Sequence, residues 1–132
     1  ENVYPAALPS MHQIRMSRRI DGEDIVRDNM KNKFNPDSIG MISDCRKVNA
    51  VWEVPYGSLI PKKVENLLVI GRCNAAEEYA WQVTRLIQSA ALTGQIAGIA
   101  GCIALKNNTS PGKLDVKDVQ KEAVGKGIMI HL

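Results

Sequence analysis

Two arginines and the start of an uncharged helix are the residues best suited to chemistry in this sequence. Gly71 and Arg72 directly follow a short apolar run, and Arg85 comes just before a helix that is predicted to begin near Gln88. The first N–H groups of a helix have no intrahelical acceptor, and together they carry about half a positive charge. Beside two guanidinium groups, they could hold an anion or an electron-rich oxygen.

The cysteines point to neither a disulfide nor a metal. Cys45, Cys73 and Cys102 are odd in number, and they form no Cys-x-x-Cys pair and no zinc-ligand spacing with a histidine. We therefore predict reduced thiols, no metal site and a cytoplasmic location. Residues 1–20 lack a cationic start followed by an apolar run, so no signal peptide is expected there.

The N–H groups named above belong to a helix that is predicted from a long uncharged stretch of sequence. Residues 86–105 contain no Asp, Glu, Lys or Arg, and only a helix suits their length. Such a helix could cross a bilayer, but its two glutamines disfavour lipid, so we predict no membrane span and a helix fully buried inside a protein. Glycine weakens a helix. Its recurrence indicates that a neighbouring backbone approaches closely, at Gly94, Gly98 and Gly101.

Shorter patterns predict the surrounding elements. Residues 66–70 form an apolar run typical of a strand that is buried on both faces of a parallel sheet. A short helix is predicted over residues 24–33, and Asp115 is predicted to cap a final amphipathic helix. Alternating and apolar runs predict three further strands, the last two of them paired: residues 12–20, 39–46 and 50–54.

Composition excludes several classes of protein. The 132 residues are 45% hydrophobic and 23% charged, which is ordinary for a globular domain and excludes disordered, collagen-like and mucin-like chains. The net charge of +3 is too small and too dispersed to predict nucleic-acid binding.

Several segments match one family pattern in the same order along the chain. They are Arg15–Gly22, Asp37–Gly40, Val54–Pro61, Val64–Cys73, Arg85 and Gly94–Gly98. Together they resemble the C-terminal part of the FAD-dependent oxidoreductase family, whose members carry Asp-Ser-Ile-Gly, Gly-Arg-Cys and Gly-Gln-x-Ala-Gly segments in this order. The resemblance runs from about residue 12 to the end of the sequence.

The resemblance implies an α/β fold that is part of a larger enzyme. Residues 63–132 would supply the last strand and the long buried helix of a Rossmann-like FAD-binding domain, with a final helix. Residues 1–62 would belong to a small β element that faces the substrate. A chain folding alone would be α+β. The implied reaction is hydride or electron transfer between a small-molecule substrate and FAD.

The resemblance also implies which residues lie near the cofactor and the substrate. Contact with FAD is implied for the Gly-Arg-Cys segment, for the arginine before the long helix and for the backbone N–H groups of its first turn: Gly71, Arg72, Cys73, Arg85, Gln88, Ser89 and Ala90. Four residues are candidates to face the substrate, namely Arg15, Arg18, Arg19 and Tyr56. The arginines could equally be solvated charges, and the tyrosine a packing residue.

Two departures from the family pattern limit what this chain is expected to do. Glu78 stands where the family commonly has a histidine, so no catalytic acid or base is assigned. No G-x-G-x-x-G unit for a dinucleotide pyrophosphate occurs in the sequence, so we expect a C-terminal piece that binds FAD poorly alone. The expected partner is the missing N-terminal FAD domain, and a chain standing alone is expected to self-associate to cover its apolar helix. The alternative is a non-catalytic α+β module that self-associates through its Gly/Ala-rich helix.

Overall fold

A two-stranded sheet and three α-helices make up the part of the chain that the structure describes. The computed structural model describes residues 15–132. The regular elements are β1 (Ser38–Ser43), β2 (Val51–Pro55), α1 (Glu78–Thr84), α2 (Ile87–Lys106) and α3 (Val116–Gly125). The 3-10 turns are Asp28–Met30, Tyr56–Leu59, Gly71–Cys73 (hereafter the Gly71 turn) and Pro111–Lys113. The fold is mixed α/β, as expected for this chain.

The hairpin of β1 and β2 confirms the paired strands. The strands are antiparallel, with Met41 opposite Glu53 and Ile42 opposite Trp52. Ile42 and Trp52 are both buried. Branched and aromatic residues suit a half-buried pleated surface, which is why this pattern could be read locally.

The predicted strand over residues 66–70 is wrong in the described chain. These residues form no strand, and Leu67 and Ile70 are each more than 40% exposed. One backbone hydrogen bond, from Val69 N–H to the Leu59 carbonyl at 2.8 Å, holds the run in place. A doubly buried strand needs neighbours on both sides, whereas the described residues contain only the antiparallel hairpin.

The predicted strand over residues 12–20 is also wrong where it can be checked. Residues 12–14 lie outside the described residues, and residues 15–20 adopt no strand. Ile20 N–H donates to the Cys73 carbonyl at 3.0 Å, which ties this segment to the Gly71 turn. The alternating side chains of residues 15–20 therefore do not belong to a β-sheet in the described chain.

The predicted helix over residues 24–33 is reduced to the single 3-10 turn Asp28–Met30. Val26 explains the loss. Its N–H donates to the Ala75 carbonyl at 3.0 Å, and its carbonyl accepts from Glu77 N–H at 3.0 Å. Because both backbone groups of Val26 are used across the molecule, a local helix cannot form around it.

α2 confirms the long helix, but the prediction that it is fully buried is wrong in this chain. Ile96 and Ala100 lie in the core, whereas Leu105 is 83% exposed. A side chain added at Gly98 or Gly101 would meet no atom within 4 Å among the described residues, so the predicted close approach of a backbone is not formed there. By length and composition α2 could cross a membrane, a test that many core helices also pass.

α3 and the segment after it close the hairpin side of the molecule. Asp115 caps α3 as predicted, because its carboxylate accepts from Lys117 N–H at 3.0 Å. The buried Glu53 carboxylate on β2 accepts from Asn35 N–H at 2.7 Å, from Leu132 N–H at 3.0 Å and lies 2.9 Å from His131 Nδ1. Burial opposes the charge of Glu53, but these hydrogen bonds outweigh it and lower its pKa.

One hydrophobic core unites these elements. It contains side chains from both sides of residue 62, among them Val26, Ile39, Trp52, Val54, Val83, Ile96, Ala100 and Val119. The division of function at residue 62 between a substrate-facing part and an FAD-binding part stays a prediction.

Candidate functional site

The candidate site is built on the Gly71 turn, which sits against the beginning of α2. Gly71 has a φ of +63°, a conformation that favours glycine. A Cβ added there would lie 3.4 Å from the Ala90 Cβ, so the turn and the helix approach closely. Gly71 N–H donates to Thr93 Oγ1 at 3.0 Å. These features place the backbone of the turn beside the first turns of α2.

Two buried hydroxyl groups hold this arrangement together. Thr93 accepts from Gly71 and donates to the Ser89 carbonyl at 2.9 Å. Ser89 Oγ donates to the Val83 carbonyl at 2.8 Å, which joins α1 to α2. The hydroxyl of Ser89 therefore has its partner inside the protein, where the residue is 1% exposed. Sequence reasoning missed Thr93, although a hydroxyl among alanines and glycines was a visible signal.

The first backbone N–H groups of α2 are not capped by any side chain, and the residues Ile87 and Gln88 that carry two of them are exposed. The N-cap residue, Leu86, has no polar side chain. No acceptor is found among the described residues for the N–H groups of Ile87, Gln88 and Ser89. Ala90 N–H differs, because it donates to the Leu86 carbonyl at 3.0 Å. In the described chain the N–H groups without an acceptor are therefore those of Ile87, Gln88 and Ser89, and the contact of Gln88, Ser89 and Ala90 with FAD stays a prediction.

Two polar groups near this helix start are buried without a partner among the described residues. Asn74 directly follows the Gly71 turn, is fully buried, and neither its Oδ1 nor its Nδ2 has a hydrogen-bond partner. Arg85 follows α1, and its Nε is buried and also lacks a partner. Most buried polar atoms in proteins are paired, since leaving one unpaired costs about 1–3 kcal/mol. These atoms therefore fit a place where a polar group is to be bound.

Arg72, Cys73 and Arg19 gather around one indole. The Arg72 carbonyl accepts from Trp81 Nε1 at 2.8 Å, and the guanidinium of Arg19 lies 5.8 Å from the Trp81 ring centroid. Ile20, the neighbour of Arg19, donates its N–H to the Cys73 carbonyl. Arg19, Arg72 and Cys73 are exposed, so their side chains are accessible.

The remaining candidates lie differently. Arg15 and Arg18 are exposed. Tyr56 is buried, and its hydroxyl donates to the Pro111 carbonyl at 2.9 Å. Burial and the charge of Glu23 raise the pKa of Tyr56 to about 12. In the described chain Tyr56 therefore acts as a packing residue with a satisfied hydroxyl.

An open cleft beside Tyr56 is negatively charged, in contrast to the positive start of α2. It has a volume of about 520 Å³ and is lined by four carboxylates, those of Glu23, Asp24, Asp37 and Asp115. A negative cleft repels phosphates and carboxylates. The residues that the structure describes contain no group of three His, Cys, Asp or Glu side chains able to hold a metal ion.

Comparison with known proteins identifies a family. The family model described as FAD dependent oxidoreductase matches residues 1–123. No curated protein and no solved structure matches the chain.

Proposed function

The chain belongs to the FAD dependent oxidoreductase family, and we propose that it is the C-terminal segment of such an enzyme and supplies the flavin side of its FAD site. Hydride or electron transfer from a small-molecule substrate is the proposed reaction of the whole enzyme. The isolated segment is proposed to be inactive, because its sequence has no G-x-G-x-x-G unit to hold the pyrophosphate. The cytoplasmic location stays a prediction.

The observation that carries the proposal is the close packing of the Gly71 turn against the start of α2. Gly71 combines a left-handed backbone with close contact to Ala90 and a hydrogen bond to Thr93. A side chain at this position would be strained by the φ of +63° and would already be in van der Waals contact with Ala90. The turn and the free N–H groups of the exposed residues Ile87 and Gln88 are proposed to form one backbone surface, which a flat polar ring could approach closely.

The polar groups around this surface fit a flavin. The backbone N–H groups at the start of α2 would donate to a ring carbonyl oxygen, and the helix dipole would stabilise negative charge there. The buried Nε of Arg85 and the amide of Asn74 need hydrogen-bond partners, which a polar cofactor could supply. FAD, when bound, would supply the two-electron chemistry that no side chain can provide. The described residues are proposed to hold and orient the flavin, and none of them is assigned as a catalytic acid or base.

The visible absorption spectrum of the full-length gene product tests the proposal. We expect a flavin spectrum that persists through gel filtration. In the isolated 132-residue chain we expect weak FAD binding. A full-length product that is colourless and takes up no added FAD would overturn the proposal. Tight stoichiometric FAD binding by the isolated chain would show that the chain does not depend on an N-terminal domain to bind FAD, and would overturn that part of the proposal.

A matched pair of glycine variants tests this close packing in the full-length product. Gly71→Ala places a Cβ 3.4 Å from Ala90 at a φ of +63°. We expect it to lose most of its flavin on gel filtration. Gly125→Ala is the control, because a side chain there meets no atom within 4 Å, and it should retain flavin. Equal retention by both variants would exclude the Gly71 turn from the FAD site.

The exposed face of α2 supports a second candidate, a self-associating module. Gln95, Gly98, Cys102 and Leu105 are exposed at spacings of three and four residues, so they share one face of the helix. This face adjoins a mainly apolar groove of about 510 Å³ between α2 and α3. An uncharged face rich in small residues allows close helix contact, and its exposure on a monomer favours association.

Sedimentation of the isolated chain tests the second candidate. Self-association predicts a dimer that Gly98→Leu converts to monomer, because the larger side chain keeps the helices apart. Gly125→Leu, at the end of α3 and outside this face, should leave the dimer intact. A monomeric wild-type chain that binds no apolar dye would count against the module.

A further inference from the structure

The short helix α1 is bonded to both parts of the proposed flavin surface. Trp81 Nε1, on α1, donates to the Arg72 carbonyl at 2.8 Å, which ties the helix to the Gly71 turn. The Val83 carbonyl, also on α1, accepts from Ser89 Oγ at 2.8 Å, which ties the helix to the first turn of α2. The position of the turn relative to α2 therefore depends on where α1 is held.

The start of α1 is not stabilised by its own residues. The helix has seven residues, fewer than an isolated helix needs to be stable in water. Its N-cap residue, Glu77, makes no side-chain hydrogen bond to the helix. Glu78, the first helical residue, has a φ of +44°, a left-handed conformation that is strained for a residue with a side chain. The helix must therefore be held by residues from elsewhere in the chain.

Asp28 supplies the cap that α1 lacks, from 51 residues before Tyr79. Its Oδ2 accepts from Tyr79 N–H at 3.2 Å, and its Oδ1 accepts from Ala80 N–H at 2.6 Å. The first N–H groups of a helix have no acceptor inside the helix, and the helix dipole favours a negative charge beside them. Asp28 is held near α1, because both backbone groups of Val26 are bonded to the segment that leads into the helix.

A binding surface made of backbone groups works only if those groups stay in place. An N–H···O hydrogen bond spans only about 2.7–3.2 Å, so a displaced turn would lose its contact with a bound ring. Residues outside a binding site hold its groups to within about 0.5 Å. Trp81 is itself restrained, since the guanidinium of Arg19 lies 5.8 Å from its ring centroid and Ile20 N–H donates to the Cys73 carbonyl at 3.0 Å. The Gly71 turn is therefore held both from α1 and from residues 19–20.

We propose that Asp28 and Trp81 are positioning residues of the flavin site. Asp28 holds the start of α1, and Trp81 on α1 holds the Gly71 turn in its place beside α2. This assignment rests on the proposed function, since it takes the turn and the start of α2 to be the flavin surface. Neither side chain has to touch the flavin. Loss of either one weakens flavin binding and changes the surroundings of the ring.

The first test is W81F in the full-length product, which removes the indole N–H and keeps an aromatic ring. We expect the dissociation constant of the flavin to rise at least about fivefold, because the Arg72 carbonyl loses its donor. The visible absorption bands of the flavin that stays bound should also shift, which a purely structural role of Trp81 would not cause.

Q120M is the matched control, because it also removes a side-chain donor to backbone carbonyls but lies away from the turn. Gln120 Nε2 donates to the carbonyls of Pro36 and Ser38 at 2.8 and 2.9 Å. We expect an unchanged dissociation constant and an unchanged spectrum for Q120M. Wild-type behaviour of W81F, or equal effects of W81F and Q120M, would overturn the positioning role.

The double variant D28A/W81F tests whether the two residues act through the same turn. D28A alone should weaken flavin binding in the same direction as W81F, and D28N, which keeps one oxygen as an acceptor, replaces D28A if that variant does not fold. Because both act on the Gly71 turn, the double variant should show less than the product of the two single fold-changes. A fold-change equal to that product would overturn the shared action.

Hydrogen exchange in the 132-residue chain tests the support of the turn without flavin. Gly71 N–H, which is bonded to Thr93 Oγ1 at 3.0 Å, should exchange at least about fivefold faster in W81F and in D28A, and at the wild-type rate in Q120M. Unchanged exchange in W81F would overturn the support by α1. Failure of the proposed function appears separately, as a colourless wild-type full-length product. Faster exchange in W81F together with that result would overturn the assignment to flavin and leave the support of the turn standing.

Discussion

The hairpin side of the molecule and the start of α2 treat buried polar groups in opposite ways. On the hairpin side, Glu53 accepts two backbone hydrogen bonds and contacts His131, and Asp44 is bonded to Arg46 and Tyr79. Near the start of α2, the side-chain amide of Asn74 and the Nε of Arg85 are buried and have no partner among residues 15–132. In the first region the buried carboxylates are hydrogen-bonded and stabilise the fold. The second retains unpaired groups, which is costly for folding and useful for binding.

The largest effect is expected at Glu53. Replacing it with alanine leaves the Asn35 and Leu132 N–H groups without their carboxylate, so Glu53→Ala should lower the free energy of unfolding by about 3 kcal/mol. Urea denaturation of the chain measures this loss. Glu65→Ala is the control, because Glu65 is exposed, and its effect should stay within about 0.5 kcal/mol. Similar losses for both variants would contradict the hairpin side as a support.

Asp44 should give a smaller effect that depends on pH. Hydrogen bonds from Arg46 and Tyr79 lower its pKa against the opposing effect of burial. A lowered folded pKa means that the stabilisation is complete above the ordinary value of 3.8 and is lost as the pH falls below it. The urea midpoint of the wild type should therefore fall on acidification below that value.

Asp44→Asn should reduce stability at neutral pH and flatten this acid dependence, because no carboxylate remains to be protonated. The exposed Asp118→Asn variant serves as the control and should keep the wild-type profile. Parallel profiles for wild type and Asp44→Asn would show that another group causes the acid sensitivity.

Asn74 should respond in the opposite direction from Glu53. Asn74→Leu replaces two unpartnered polar atoms with methyl groups on the same branched skeleton, so the isolated chain should gain about 1–2 kcal/mol. The same variant of the full-length product should retain less flavin. Thr93→Val is the matched comparison nearby: it removes a hydroxyl that is bonded to Gly71 and Ser89, and it should cost about 1 kcal/mol. A loss of stability in Asn74→Leu would show that the amide is paired after all.

The smallest effect is expected at the cap of α3. Asp115→Ala removes the acceptor of Lys117 N–H and should cost about 1 kcal/mol in thermal or urea unfolding. Asp115→Asn keeps an oxygen at the same place and should restore most of the loss. A full loss in Asp115→Asn would mean that the charge matters more than the cap.

Elements whose signals are local were predictable. The paired strands, the length of α2 and the Asp115 cap each depend on a few neighbouring residues, and the structure confirms all three. The run at residues 66–70 was misread, because apolar residues indicate burial without saying what covers them. The alternation before Gly22 was misread for the same reason, since pairing needs a partner strand that the described residues do not contain.

For the candidate site as well, the sequence shows the residue types, whereas their assembly depends on the fold. The residue types that mark it, Gly71, Arg72, Arg85 and the helix start, were visible in the sequence together with the family they resemble. Their assembly depends on contacts between distant segments: Thr93 under Gly71, and Trp81 between Arg19 and Arg72. Only the folded backbone shows that the N–H of Ala90 makes the first helical hydrogen bond of α2.

The sequence by itself therefore determined the family, the helix α2 and the kind of chemistry that its first turn can support, since these follow from residue order and helix geometry. Only the tertiary structure decided which polar groups are already paired and which are not. Pairing is settled by atoms that meet across the fold, from residues dozens of positions apart, and no local pattern contains that information.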